Sequence, residues 1–407
     1  SLNEYSHKDR IISDFDAVSL YPSAMTRMKG FLKGIPKVIK KFEPEKYDGY
    51  FIYIKIKNIK KHYKFPLASL ITDKGIRNFS NDLIDKNIYV DKTMLEDLIK
   101  YCGVEYEFIK GYYYDEGHND TINKVMRHLF NQRVKFKKVK NPIQMVFKEL
   151  MNSSYGKTFM KPIDSDKEYI GHNKIKDYID YNYNFIKTMT LLPNEKTWKI
   201  EKIKSIDTHF NNVPCGVEIL SMSKRIMNEV MTLAEDNNFD MYITDTDSIH
   251  IDTDKIEKLG ELFKQKYNRV LIGTDMGQFH SDFEMDDVID EPVAISSVFL
   301  GKKCYCDRLE AIEYDIEGIN GGFDLETGEM FNSYKYDYHY RMKGIPSDCI
   351  KHKADTEYNG DIIKLYNDLY DNEDGLDFNL LACRPKFEYC KNMTIRSKTK
   401  FMRRVKF

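Results

Sequence analysis

The sequence lacks a dominant charge: 63 Lys and Arg stand against 64 Asp and Glu, a formal net charge of −1 over 407 residues. No overall field advertises a polyanionic partner, so any nucleic-acid surface must be a local patch. Its seven cysteines include no CxxC pair, which argues against a zinc knuckle. Cys304 and Cys306, the nearest two, would point to one side of a strand, and the set reads as free thiols in a reducing compartment. No run approaches the roughly 18 uninterrupted apolar residues of a membrane span. The polar start SLNEYSHKDR carries no apolar signal region, so the expectation is a soluble chain that is not exported. Internal repeats and low-complexity linkers are missing too, and domains must be read from changes of periodicity. There is one Trp beside 29 Tyr, a bias that AT-rich coding alone would give. The length allows two or three cores, and Ser at position 1 suggests a processed chain or an excised fragment.

What is present is a mixture of both periodicities. IISDFDAVSLYPSAM (11–25) reads as a strand ending in a turn at Tyr21-Pro22, with a helix starting near Ser23. Within 49–59, YIKIKNI alternates apolar and polar residues as a half-buried strand does. VDKTMLEDLIKY (90–101) predicts a helix capped by Asp91, with Met94, Leu95, Leu98 and Ile99 on one face. Residues 121–155 predict two helices broken at Asn141-Pro142, since Pro disfavours helix at the residue before it. Between 157 and 212 the chain is polar and irregular, but IKTMTLL and TWKIEKI flank LPNE as a hairpin would. A helix follows over 217–236, then two strands over 240–252. Strands and helices mix without βαβ regularity, which makes the fold class α+β. Residues 384–407 are the most basic segment.

Two acidic centres stand out. YITDTDSIHI (242–251) sets Asp245 and Asp247 one residue apart in a stretch that otherwise favours strand. A DTD is commonly a solvated turn. Here Tyr242, Ile243, Ile249 and Ile251 imply a tip set in a buried sheet, where converging charge calls for a partner, usually a metal. Asp14 and Asp16 repeat the spacing at the end of another apolar strand. Asp16 and Asp247 both lie where a buried strand ends, as expected if adjacent strands present them together. Oxygen ligands of this kind favour Mg²⁺ or Mn²⁺ over zinc, and two such ions would clamp an in-line phosphoryl displacement. A third stretch, KELMNSSYGK (148–157), places Lys148, Asn152 and Tyr155 on one helix face and leaves it open at Gly156. Arg133 and Lys137 repeat the i, i+4 spacing upstream. Such a face can hold a triphosphate, or be no more than a solvated amphipathic surface.

In this order, these blocks resemble the motifs of the family B DNA polymerases. DAVSLYPS is similar to the first (DxxSLYPS), KELMNSSYG to the second (KxxxNSxYG) and YITDTDS to the third (YxDTDS). KCY at 303–305 fits the family's KxY element, and YRMKGIP at 340–346 its entry to the thumb. The likeness spans about residues 10–350. It implies a right-hand polymerase, a palm with an antiparallel sheet, helical-hairpin fingers and a small thumb. On that reading 1–30 and 213–340 are palm and 116–157 fingers. Residues 31–115 form a palm extension resembling a terminal-protein region, 158–212 an insertion with a hairpin, and 341–407 the thumb. Asp16 and Asp247 would be ligands of two Mg²⁺ ions (Mn²⁺ may substitute), with Asp245 in support. The Ser19 and Leu20 backbone would touch the incoming dNTP, and Tyr21 would exclude a 2′-hydroxyl. Lys148 would bind triphosphate, helped by Arg133 and Lys137, while Asn152, Tyr155 and Gly156 line the nascent pair. Lys303 and Tyr305 would hold the primer, and Ser153, Gly156 and Lys343 would also contact DNA.

The pattern departs from the family in two ways. Only 15 residues precede Asp16, too few for the usual 3′→5′ exonuclease, so the expectation is an excised core or an exonuclease-free enzyme. The segments between the motifs are long, as in the protein-primed branch of small bacteriophages and linear plasmids. The partners implied are a DNA primer-template, dNTPs and a terminal protein primer, met by a monomer in the cytoplasm or a host-cell replication compartment. A metal-dependent nuclease would use the same carboxylates but leave Lys148, Asn152 and Tyr21 unexplained. A degenerate scaffold that only binds DNA would be expected to have lost acidic ligands.

Overall fold

The computed structural model describes residues 3–5, 10–71, 77–78, 83–161, 164–204, 211–313, 322–323, 330–331, 333–372, 374–380, 388–389, 393–394 and 400–402. Two compact units divide the chain: Ser1–Leu20 with Met227–Phe407, and Tyr21–Ile226. Most of the basic block 384–407 lies outside the described residues.

The first unit is built on an eight-stranded antiparallel sheet. Its main path runs Met241–Asp245, Ser248–Asp252, Ile12–Ala17, Val293–Gly301, Cys304–Ile312, Tyr334–Met342. Ile12–Ala17 is interior, and its sequence reflects this: Ile12, Ser13, Asp14, Phe15 and Ala17 are all buried, so the strand does not alternate. Cys304–Ile312 keeps the period of two. Cys306 joins Cys304 against the helices Ser347–Glu357 and Ile362–Asp371, while Tyr305 and Leu309 pack on the other side with Ile12 and Phe299. The two cysteines therefore share a face as expected, and both are free thiols.

The strand over 11–25 ends earlier than the sequence suggests, at Ala17, and the helix Leu20–Arg27 begins three residues before Ser23. Pro22 sits in its first turn, where the missing N–H would have had no intrahelical partner anyway. The turn is made instead at Val18-Ser19, with Ser19 at φ 50°.

In the second unit, Lys37–Val38, Glu105–Tyr114, Gly49–Asn58 and Asn87–Asp91 form a four-stranded antiparallel sheet in that order. Ile54 and Ile56 are buried at alternate positions, as YIKIKNI predicts, and Tyr50 and Ile52 extend the same buried face. The helix Lys92–Cys102 is capped by the Asp91 carboxylate, which accepts from Met94 N–H at 3.2 Å, and ends at Gly103 in the left-handed region (φ 58°). Leu95 and Leu98 enter the core and Met94 packs against it, but Ile99 stays 45% exposed. Tyr101 and Cys102 complete the buried stripe instead, leaving Ile99 at its rim. Arg225 ties this helix to Val213–Asp236, donating to Asp97 at 2.7 Å and to Glu96 at 2.9 Å. That long helix starts four residues before the expected 217, where the Asn212 side chain accepts from Cys215 N–H at 3.3 Å.

The expected pair of helices is present as Thr121–Lys138 and Gln144–Thr158. Lys140 at φ 51° makes the turn, and the Asn141 side chain accepts from Ile143 N–H at 3.0 Å. The hairpin Ile186–Leu191/Thr197–Ile203 is also present, but it belongs to a three-stranded sheet, because Ser165–Gly171 pairs with the free edge of Thr197–Ile203. Among the described residues, no helix is long and apolar enough to cross a membrane.

Candidate active site

The first unit brings its acidic centres together by strand register. Asp16 lies opposite Ser248, and Asp14 opposite His250. One residue further, Ala17 N–H donates to the Asp247 carbonyl at 2.8 Å. Asp16 and Asp247, far apart in sequence, thus occupy neighbouring positions at the end of the same strand pair. Asp245 and Asp247 do not share one strand: Asp245 ends its strand and pairs with Ser248, while Asp247 lies in the connecting turn. Thr246 takes φ 69° there, and Asp247 N–H closes the turn on the Asp245 carbonyl at 2.9 Å. For a β-branched residue this conformation costs on the order of 1–3 kcal/mol, and it makes the tight turn that joins the two aspartates.

The environments of the two aspartates differ. Asp245 is 9% exposed, and both its oxygens are engaged: Lys303 Nζ donates at 2.7 Å and the Tyr305 hydroxyl at 3.3 Å. Tyr305 itself is buried, at 2% exposure. Lys303 is joined through its carbonyl to Lys343 N–H at 2.9 Å, so the KCY and MKG stretches meet, with the Lys343 side chain exposed. The Asp247 carboxyl is pushed up from its ordinary value by burial and by the negative charges of Asp245, Asp282 and Asp14. A divalent cation held by Asp16 and Asp247 would offset that surplus. The all-carboxylate donor set suits a hard ion such as Mg²⁺ or Mn²⁺.

Behind this tip lies a layer to which the motifs gave no role. His250, fully buried, has its Nε2 3.1 Å from Asp307 Oδ2 and its Nδ1 3.3 Å from Asp14 Oδ1. His339 Nδ1 also approaches Asp307, at 3.4 Å, and the Ser297 hydroxyl donates to it at 2.6 Å. Burial alone would raise the Asp307 carboxyl. The His250 charge and the hydrogen bonds from His250, His339 and Ser297 outweigh burial and bring it down to about 2. The signal available in the sequence was the histidine of DTDSIH. Asp307 and His339 sit in ordinary strand sequence and become notable only through pairing.

The second unit carries the remaining candidates. Lys148, Asn152 and Tyr155 project from Gln144–Thr158, Lys148 and Tyr155 half-buried and Asn152 exposed. Tyr155 stacks on Tyr21, with ring centroids 4.3 Å apart and planes 3° from parallel. The supposed sugar gate and the residue expected at the nascent pair are therefore in direct contact. Ser153 is exposed and its hydroxyl donates to the Leu150 carbonyl at 3.2 Å, while a Cβ at Gly156 would meet nothing within 4 Å. On Thr121–Lys138, Arg133 is half-buried and its guanidinium is shifted down by desolvation, whereas Lys137 is exposed. Ser19 and Leu20 belong to the first unit, Ser19 half-buried in the turn and Leu20 buried at the helix start.

Comparison with solved structures finds phi29 DNA polymerase complexed with primer-template DNA, at TM-score 0.53 and 15% identity over 88% of this chain and 54% of that one. Phi29 DNA polymerase with primer-template DNA and incoming nucleotide substrates matches at TM-score 0.53 and 16% identity, over 88% and 55%. The orthorhombic crystal form of the same enzyme gives TM-score 0.54 and 16% identity, over 86% and 53%. The chain thus shares a fold with these structures while spanning about half of their length. No curated protein sequence matches it. The family described as DNA polymerase type B, organellar and viral, matches residues 5–274, well over half of the chain. On that match, joined to the three motifs and the fold that carries them, the chain belongs to the organellar and viral type B DNA polymerases.

Proposed function

We propose that this chain catalyses DNA-templated DNA synthesis, adding dNMP to a primer 3′-hydroxyl. The observation that carries the reading is the register that sets Asp16 opposite Ser248, beside Asp247. Asp16 and Asp247 would hold two Mg²⁺ ions, or Mn²⁺ in their place. When bound, the ions supply charge that lowers the pKa of the primer hydroxyl and neutralises the leaving pyrophosphate. Asp245 keeps Lys303 oriented through the 2.7 Å ion pair, Lys303 and Lys343 steady the primer strand, and the buried Tyr305 acts through its hydrogen bond to Asp245. Lys148, with Arg133 and Lys137, binds the triphosphate, and the Ser19 and Leu20 backbone touches it. Tyr21, stacked on Tyr155, rejects the ribose 2′-hydroxyl, while Asn152, Ser153 and Gly156 follow the nascent pair and template. Contacts to phosphate and sugar dominate, so DNA binding weakens with salt.

The first unit's sheet acts as palm, the helix pair Thr121–Lys138/Gln144–Thr158 as fingers, and 341–407 as thumb. Start from a terminal protein is the priming mode this reading favours, supported by the fold shared with phi29 DNA polymerase and by the long inter-motif segments. The chain would act as a monomer. Primer extension by the intact chain with Mg²⁺ and dNTPs tests the proposal. Elongation that Asp247→Ala abolishes supports it; no elongation, or undiminished elongation by that variant, overturns it. DNA shortening without dNTPs would point to a nuclease, and tight DNA binding without either reaction to a scaffold.

A further inference from the structure

We infer that Asp14, His250 and His339 form a second metal site, separate from the Asp16/Asp247 pair and selective for a zinc-type divalent transition ion. One ligand atom from each of the three side chains lies within 4.8 Å of the others. Asp14 is 5% exposed and His250 0%, yet Asp14 Oδ1 and His250 Nδ1 have no hydrogen-bond partner although they lie 3.3 Å apart. Buried polar atoms left unsatisfied in this way are costly, and an ion bound between them would satisfy both. The spacing is that of neighbouring ligands on one tetrahedral ion. Zinc–nitrogen and zinc–oxygen bonds of about 2.0–2.2 Å at a tetrahedral angle separate the donor atoms by roughly 3.3–3.5 Å.

The surroundings have the form of a metal ligand's support. Asp307 takes the Nε2 side of His250, turning Nδ1 toward Asp14, and it also contacts His339. A carboxylate on the far nitrogen is the usual device for fixing a ligating imidazole. Two imidazoles and one carboxylate favour Zn²⁺ or Co²⁺ over Mg²⁺. His339, with 32% of its side chain exposed, provides the entry path and the freedom to close the triangle. The three ligands come from the strands Ile12–Ala17, Ser248–Asp252 and Tyr334–Met342. A bound ion would fasten the strand that carries Asp16 to the hairpin that carries Asp247, acting as a structural tie behind the chemistry.

The test is Co²⁺ titration of the intact chain in excess Mg²⁺, which keeps the carboxylate pair occupied, followed by visible absorption. The expected result is one equivalent of Co²⁺ with tetrahedral bands, displaced by one equivalent of Zn²⁺. His339→Ala and Asp14→Asn should abolish the bands, and Asp307→Asn should weaken binding by roughly 10–100-fold. Zn²⁺ should raise the melting temperature of the wild type and leave that of His339→Ala unchanged. His339→Ala changes the one partly exposed ligand, and its far-UV circular dichroism reports whether it folds. Absence of tetrahedral bands in the wild type, or bands and thermal shift retained in folded His339→Ala, would overturn the inference. The bands should persist in Asp247→Ala, so a failed polymerase assay and a failed metal site remain distinguishable.

Discussion

Asp307 in the first unit and Glu218 in the second are buried carboxyl groups shifted in opposite directions. In the first, Asp307 is wholly buried but ringed by His250, His339 and Ser297, and its carboxyl is drawn down to about 2. In the second, Glu218 has its Oε2 buried without a hydrogen-bond partner. Burial, with the Asp91 carboxyl nearby, pushes it up to about 8. Asp91, also raised chiefly by burial, reaches about 6. Desolvation acts on all three in the same direction, and for Asp307 the His250 charge and three hydrogen bonds reverse it. Partners thus keep Asp307 charged behind the tip where the acidic motifs converge, whereas Asp247 at the tip itself is pushed up, as Glu218 is. In the second unit Glu218 is most comfortable neutral near pH 7, while Asp97 is held by Arg225 at 2.7 Å.

The largest test of that contrast is catalytic. Asp247→Ala should lower the primer-extension rate by roughly 10³-fold or more, the several kcal/mol a bound metal contributes, whereas Glu218→Gln should leave the rate near wild type. Equal losses would erase the distinction. Next in size is Asp307→Ala, which strips His250 Nε2, His339 Nδ1 and the Ser297 hydroxyl of their common buried partner and should cost about 3–5 kcal/mol in urea unfolding. A loss under about 1 kcal/mol would mean the His250 pairing carries little stability. Tyr21→Ala removes the ring that stacks on Tyr155 and should raise ribonucleotide over deoxyribonucleotide incorporation by roughly 10-fold or more; unchanged sugar selectivity would take Tyr21 out of the gate role.

The smallest effect is a pH dependence. Glu218 binds its proton more tightly folded than unfolded, so its contribution is complete below about pH 4, declines between the unfolded value near 4.5 and about 8, and is lost above. Glu218→Gln stays neutral throughout. Its unfolding midpoint should match wild type at pH 4 and exceed it increasingly toward pH 8; a constant offset would show that Glu218 does not titrate in this way. Asp307 has the opposite sign. Its contribution is present above the unfolded value of 3.8 and disappears as pH falls toward 2.

Much of this was legible in the chain itself. The alternation in Gly49–Asn58, the Asp91 cap, the break at Asn141-Pro142 and the three motifs are local signals, carried by residues a few positions apart. Backbone period, capping and turn chemistry act over that same range, so the sequence determined these elements and the family. The start of the Leu20–Arg27 helix was misjudged because Pro22 reads equally as a stop and as a first-turn residue. The third strand beside Thr197–Ile203 was missed because Ser165–Gly171 has no clean alternation of its own. Only the tertiary structure decided the buried layer of Asp14, His250, Asp307 and His339, drawn from four strands in four separate stretches of sequence. No local rule links them; they meet because antiparallel register, fixed by which faces of the sheet must be buried, sets Asp14 opposite His250 and Asp307 opposite His339.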